Sequence, residues 1–172
     1  MKRLIFINGT MGAGKTTVCQ ELKKLLPPCA FLDGDWCWDM EPFLVTEETK
    51  AMVQENIVFL LRRFLACSAY ENVIFCWVMH RQEILDNLLS LLAPEGVQVY
   101  KFTLSLSPQT LRAHLQKDVD AGLRTADILE RSLERLPLYE AMDTEKICVD
   151  SLTPQQAAQQ ICRKIFQPSP LF

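Results

Sequence analysis

The feature that most constrains this chain is an eight-residue stretch near its start, Gly9-Thr10-Met11-Gly12-Ala13-Gly14-Lys15-Thr16, which holds three of the six glycines in 172 residues. It follows a short apolar run, Arg3 to Ile7. It precedes Lys15 to Leu26, where Val18, Leu22, Leu25 and Leu26 recur at helical spacing until Pro27-Pro28 ends the pattern. A buried strand, a glycine-rich turn and a helix in direct succession leave the backbone few options. Successive N–H groups of the turn point inward, and the helix N-terminus adds a partial positive charge at the same place. Such a nest suits a polyphosphate.

The stretch fits G-x-x-x-x-G-K-S/T, the P-loop or Walker A pattern. With this chain's own residue frequencies the match would arise by chance roughly once in 1,000 chains. Lys15 is then expected at the β- and γ-phosphates, and the Thr16 hydroxyl on Mg²⁺. Gly9, Thr10, Met11, Gly12, Ala13, Gly14 and Thr17 complete the expected nucleotide cradle. ATP is the expected nucleotide, because neither D-x-x-G nor N-K-x-D occurs and a GTPase switch is thereby disfavoured.

Further along, strand and helix patterns alternate. Cys29 to Leu32 reads as a second strand, and Thr46 opens a long amphipathic helix through Val53, Ile57, Leu61 and Leu65. Asn72 to Met79 is the most apolar segment and the third strand, followed by a helix over Gln82 to Leu92. Val97 to Leu106 is the fourth strand. Ser107-Pro108 begins a polar helical region to about Leu136, broken near Gly122 and punctuated by Pro137. Lys146 to Asp150 is the fifth strand, and Thr153-Pro154 starts a last helix to about Phe166, before a tail, Gln167 to Phe172, expected to fray. The pattern predicts a single α/β domain over 1–172, its parallel sheet covered on both faces.

Eighteen basic against 21 acidic residues give a net charge of −3, which argues against general binding to nucleic acid or to an anionic membrane. The seven cysteines contain no C-x-x-C pair and mostly sit in apolar runs, so reduced core thiols are expected. The apolar run Leu4 to Ile7 is too short for the core of a secretory leader, and a cytoplasmic location is the corresponding expectation.

The P-loop followed by Leu32-Asp33-Gly34-Asp35 at the end of a second strand resembles the small P-loop kinases. That superfamily holds nucleoside monophosphate, shikimate, gluconate and adenylylsulfate kinases. Within it the chain is most similar to nucleotide-kinase-like proteins and AAA-type small ATPases, with tunicamycin-resistance proteins as distant relatives. The resemblance implies a three-layer P-loop NTPase fold, sheet order 2-3-1-4-5, and a helical lid over about 107–136. It implies ATP with Mg²⁺, Asp33 in the metal shell and Asp35 toward the acceptor, with the two roles exchangeable. An Asp-Gly turn with a side-chain cap is the structural alternative for the acidic pair.

The third strand ends Trp77-Val78-Met79-His80-Arg81, without the carboxylate an ATPase would carry there, so Asp33 and Asp35 are the acids expected near the metal. Arg81 occupies the place where related kinases bind an acceptor's phosphate, and its planar fork also suits a carboxylate. In the lid, Arg112 is a candidate to stack on the adenine and Arg124 to reach the phosphates. Arg131 and Arg135, interleaved with Glu130 and Glu134, equally describe a solvated helical face. Trp36 and Trp38, with Met40 and Phe43, either wall an acceptor pocket or fill core beneath the long helix. The expected activity is phosphate transfer from ATP to a small molecule, most of all a nucleotide or nucleoside. An antibiotic or other small-molecule kinase is one alternative, and an ATP-binding or slow ATPase module acting through a protein partner is another.

Overall fold

Strand β1 (Lys2–Asn8) turns Leu4 and Phe6 to one face of the sheet and Ile5 and Ile7 to the other. All four are enclosed in the computed structural model, which describes residues 1–125 and 127–167. Side chains alternate across a strand, so a run apolar at every position must be covered on both sides. The remaining strands are β2 (Cys29–Asp33), β3 (Asn72–Cys76), β4 (Val97–Ser105) and β5 (Glu145–Cys148). All pair in parallel, in the order β2-β3-β1-β4-β5, as the resemblance implied.

The helices are α1 (Lys15–Leu25), α2 (Glu47–Ala66), α3 (Gln82–Leu92), α4 (Pro108–Asp120), α5 (Asp127–Glu140) and α6 (Pro154–Phe166). Ile5 and Ile7 join Val18 and Leu22 of α1, Leu111 of α4 and Ile161 of α6 in one core. Leu4 and Phe6 join Val53 and Leu61 of α2 and Leu85 and Leu88 of α3 in the other, closed by Tyr139 and Met142. Helix starts follow the local chemistry. Thr46 and Thr153 close capping boxes, and the Ser107 hydroxyl accepts from the Thr110 N–H ahead of a first-turn proline.

Three expectations need correction. Strand β3 stops at Cys76 rather than Met79, because beyond Trp77, whose N–H still reaches the Ile7 carbonyl at 3.3 Å, the chain turns away to floor the site. Its apolarity continues because Met79 is buried, not because it is extended strand. Pro137 does not end the helix that holds it: α5 runs on to Glu140 with the buried Tyr139 as its anchor. Of the seven free thiols only Cys19 and Cys76 are fully buried, and Cys148 is exposed. The expectation for the tail lies outside the described residues beyond Gln167. Among the described residues no helix is long and apolar enough to cross a membrane.

Candidate active site

The glycine-rich turn closes between β1 and α1, with the Ala13 N–H on the Thr10 carbonyl at 3.2 Å and Gly14 as the left-handed cap of α1. Gly12, at φ +83, has both reasons to lack a side chain. A Cβ there would stand 2.7 Å from Leu115 Cδ2 of α4. Lys15 folds back beneath the turn and its Nζ donates to the Gly9 and Thr10 carbonyls at 3.0 Å each. Burial lowers the ammonium's pKa, and the negative charges of Asp35 and Asp33 are among the influences that oppose that.

The acidic pair meets this turn from β2. The Thr16 hydroxyl donates to Asp33 Oδ2 at 2.6 Å, and the Asp35 N–H donates to Asp33 Oδ1 at 3.0 Å. Asp33, buried, therefore caps the short 3-10 turn Gly34–Trp38 and holds the Thr16 side chain. The turn-cap reading and the functional reading describe the same carboxylate. Gly34 is needed for a reason the sequence did not reveal. Its φ is not left-handed, but a Cβ would fall 2.6 Å from Cγ of Trp77, which packs directly over it. Burial and then the Asp33 charge raise the pKa of Asp35, while Lys15, Arg124 and the Trp77 indole partly offset the rise.

Met11, Gly12, Gly14, Lys15, Thr16, Thr17, Asp35 and Arg124 line one cavity of about 380 Å³. Gly9, Thr10, Ala13 and Asp33 are not on its wall but hold residues that are: Gly9 and Thr10 accept from Lys15, Asp33 accepts from Thr16, and Ala13 closes the turn onto Thr10. The cavity's far wall holds three residues sequence reasoning missed, His114, Lys117 and Asp118. They lie on α4, where the polar helix pattern gave no sign of which face turns inward. His114 Nδ1 meets the Gly12 carbonyl at 3.0 Å, so α4 is tied to the turn. Asp118 adds a third carboxylate to the wall of the cavity, where it holds Arg124 Nε at 2.9 Å while a terminal nitrogen of that guanidinium contacts the Met11 sulfur.

Arg112 is not brought to this cavity. Two positions from His114 on a helix of 3.6 residues per turn, it faces the opposite way, into an outer cleft with Gln109, Gln116 and Leu129. Trp36 and Trp38 flank Asp35 in a neighbouring cavity with Met11, Asp39 and Phe43. Trp36 is 54% exposed, so it does not fill core. Arg81 lies apart from Asp35, at the head of α3, in a cavity of about 860 Å³ that shares the Trp38 wall.

Asn8, also missed, fixes the approach of that loop. Its side chain accepts from the Met79 N–H at 2.9 Å and donates to the Met79 carbonyl at 2.8 Å. A buried asparagine at a strand end is its only sequence signal.

The residues present suit ATP with Mg²⁺. Among the described residues no three His, Cys, Asp or Glu side chains cluster as a metal cage. Mg²⁺ bound with a nucleotide needs only one or two protein oxygens, and Thr16 and Asp33, side by side at 2.6 Å, are the residues that could offer them.

The AAA domain family model matches residues 5–134. No curated protein matches the chain significantly by sequence. Among solved structures it is similar to a sugar kinase from Janibacter sp., with a TM-score of 0.72 and 17% identity over 98% of this chain and 96% of that one. It is similar to the tunicamycin resistance protein of Deinococcus radiodurans, at 0.68 and 19% identity over 96% of each chain. The shikimate kinase of Acinetobacter baumannii gives 0.67 and 19% identity over 99% of this chain and 97% of that one. These likenesses carry the fold: a five-stranded parallel P-loop kinase sheet in the same architecture.

Proposed function

This chain belongs to the AAA domain family, and from that premise we propose that it transfers the γ-phosphate of ATP to a small molecule, most of all a nucleotide or nucleoside. One observation carries the reading. Lys15 and Thr16 of the P-loop share a single cavity with Asp35, and the Lys15 and Asp35 charges act on each other. A turn that only capped a helix would not need a buried lysine facing a carboxylate of raised pKa.

Each residue then has a task. The turn's N–H groups and Lys15 bind and orient the polyphosphate, for which Lys15 exchanges its two carbonyl partners. Thr16 and Asp33 would hold Mg²⁺, which when bound neutralises phosphate charge. Asp35 orients the acceptor hydroxyl and takes its proton, a role helped by a pKa above the ordinary carboxylate range. Arg124, released from Asp118, adds positive charge where the transferring group passes, and α4, which lines the cavity with His114, Lys117 and Asp118, excludes water.

The test is ADP release from Mg·ATP in the presence of nucleosides, nucleotides, sugar acids and antibiotics, presented separately. Release that depends on a nucleoside or nucleotide is expected. If nothing in the panel stimulates release while a bound protein does, the chain is an ATPase module and the transfer reading is lost.

A further inference from the structure

The 860 Å³ cavity is more than twice the volume of the 380 Å³ P-loop cavity and has a different character. Trp38, Trp77, Ile84, Leu88, Leu138 and Met142, with Ala141, supply half of its lining residues. It adjoins the cavity that holds Asp35: Trp38 lines both, and Trp77, on the wall of the larger one, acts on the Asp35 carboxylate. Its size falls in the range of about 300–1,000 Å³ that encloses small ligands.

Three carboxamides line it, and they are not equivalent. Gln82 uses both ends of its amide within the fold, donating to Asp86 at 2.8 Å and accepting from the Asp143 N–H at 2.9 Å. Gln54 on α2 and Asn87 on α3 make no hydrogen bond among the described residues, so each presents a free donor and acceptor to the same space from a different helix.

The charges are also uneven. Lys50 is tied to Glu47 at 2.7 Å, whereas Arg81 and Arg135 form no ion pair among the described residues. The carboxylate on the wall, Glu83, stands two residues from Arg81 without pairing with it. His80 beside them has a buried Nδ1 with no partner. Burial, then the Arg135 and Arg81 charges, lower its pKa. Neutral imidazole among uncompensated guanidinium groups marks a place where an anion is stabilised.

Resting on the phosphotransferase reading, we propose that the acceptor is a nucleotide-like molecule, a planar heterocycle carrying an anionic group. Gln54 and Asn87 read its ring edge and Arg81 takes its anion. A polyol acid needs a hydrogen-bonding partner along most of its carbons, and half of this wall is hydrocarbon and indole. A flat ring uses those surfaces and needs polar partners only at its edge.

The experiment is a titration of the full chain, saturated with Mg²⁺ and a non-hydrolysable ATP analogue, followed by tryptophan fluorescence. The probes are the common nucleoside 5′-monophosphates, their nucleosides, gluconate and shikimate. At least one monophosphate should bind saturably, and gluconate and shikimate should not. The pair Gln54→Ala and Asn87→Ala should weaken that binding about tenfold or more, with analogue affinity unchanged. Arg81→Gln should weaken the monophosphate but not its nucleoside. Saturable binding of the polyol acids alone, absence of monophosphate binding, or monophosphate binding indifferent to the amide substitutions overturns the assignment. Binding without any phosphate transfer would instead remove the phosphotransferase reading and leave the pocket assignment standing. Transfer to a polyol acid, indifferent to the amide substitutions, would do the reverse.

Discussion

Gly34 and Asp35 are adjacent in sequence but are held by different constraints, and each yields a separate expectation. At Gly34 a methyl group would meet Trp77 Cγ at 2.6 Å, so Gly34→Ala must shift either the indole or the 3-10 turn. Overpacking of that kind costs about 1–3 kcal/mol. Urea unfolding should show a loss of that size, and turnover should fall as well, because Asp35 rides on the displaced turn. At Asp35 the folded state raises the carboxyl's pKa, through burial and Asp33. Above the pH range in which the unfolded chain's carboxyl ionises, only the folded chain is penalised, because its surroundings resist the charge. Asp35→Asn should therefore raise Tm at pH 7. The gain should vanish as pH falls below the ordinary carboxylate value of ~3.9, where both states are protonated. The same variant should keep its affinity for an ATP analogue while turnover drops about 100-fold or more. In the unsubstituted enzyme the acid limb of kcat should sit above the ordinary carboxylate range, since Asp35 must be ionised to accept a proton. A pH–rate profile with its acid limb at or below ~3.9 would remove Asp35 from that role.

Among the elements, what could be read in advance is what repeats or what caps. The five strands, the helix starts at Ser107 and Thr153, and the P-loop each rest on local patterns that survive without knowledge of neighbours, whereas the roles expected of Asp33 and Asp35 come from the resemblance to small P-loop kinases. What could not be read depends on contacts between distant segments. Trp77 leaves the sheet because it must lie over Gly34, and His114 faces the cavity because α4 packs against Gly12, separated from it by most of the chain. Arg112 shows the same limit from the other side: its residue type fitted a nucleotide contact, but the face of α4 it occupies is decided by Leu111 and Leu115 entering the core. The loop after β3 supplies a test at this scale. Asn8 satisfies both backbone groups of the buried Met79, so Asn8→Ala strands a buried N–H and carbonyl at a cost of about 2 kcal/mol. Since that loop leads to His80 and Arg81, KM for the acceptor should rise more than KM for ATP. Equal rises in both would show that Asn8 acts only on stability.

At the level of the whole molecule, β1 is the member common to everything: its alternating side chains enter both cores and its end becomes the P-loop. Leu61→Ala on α2 and Ile161→Ala on α6 sit in separate cores on opposite faces of the sheet. Each should cost about 2–5 kcal/mol, and the double variant should equal their sum within about 0.5 kcal/mol. Ligand binding should act on the same unit. A ligand that binds only the folded state stabilises it by about 2.7 kcal/mol at 100 times its Kd, and the proposed nucleotide would touch the glycine-rich turn, α1 and α4 together. The Mg·ATP analogue should therefore raise a single cooperative Tm rather than protect one segment. Lys15→Met keeps much of the buried volume but removes the charge that meets the phosphates. In that variant the nucleotide-dependent shift should collapse while an unliganded, cooperative transition persists. A shift of undiminished size in Lys15→Met would mean that the nucleotide binds elsewhere, and the phosphate cradle would lose its assignment. A shift lost together with cooperativity would instead place Lys15 among the residues that hold β1 and α1 together, through its bonds to the Gly9 and Thr10 carbonyls.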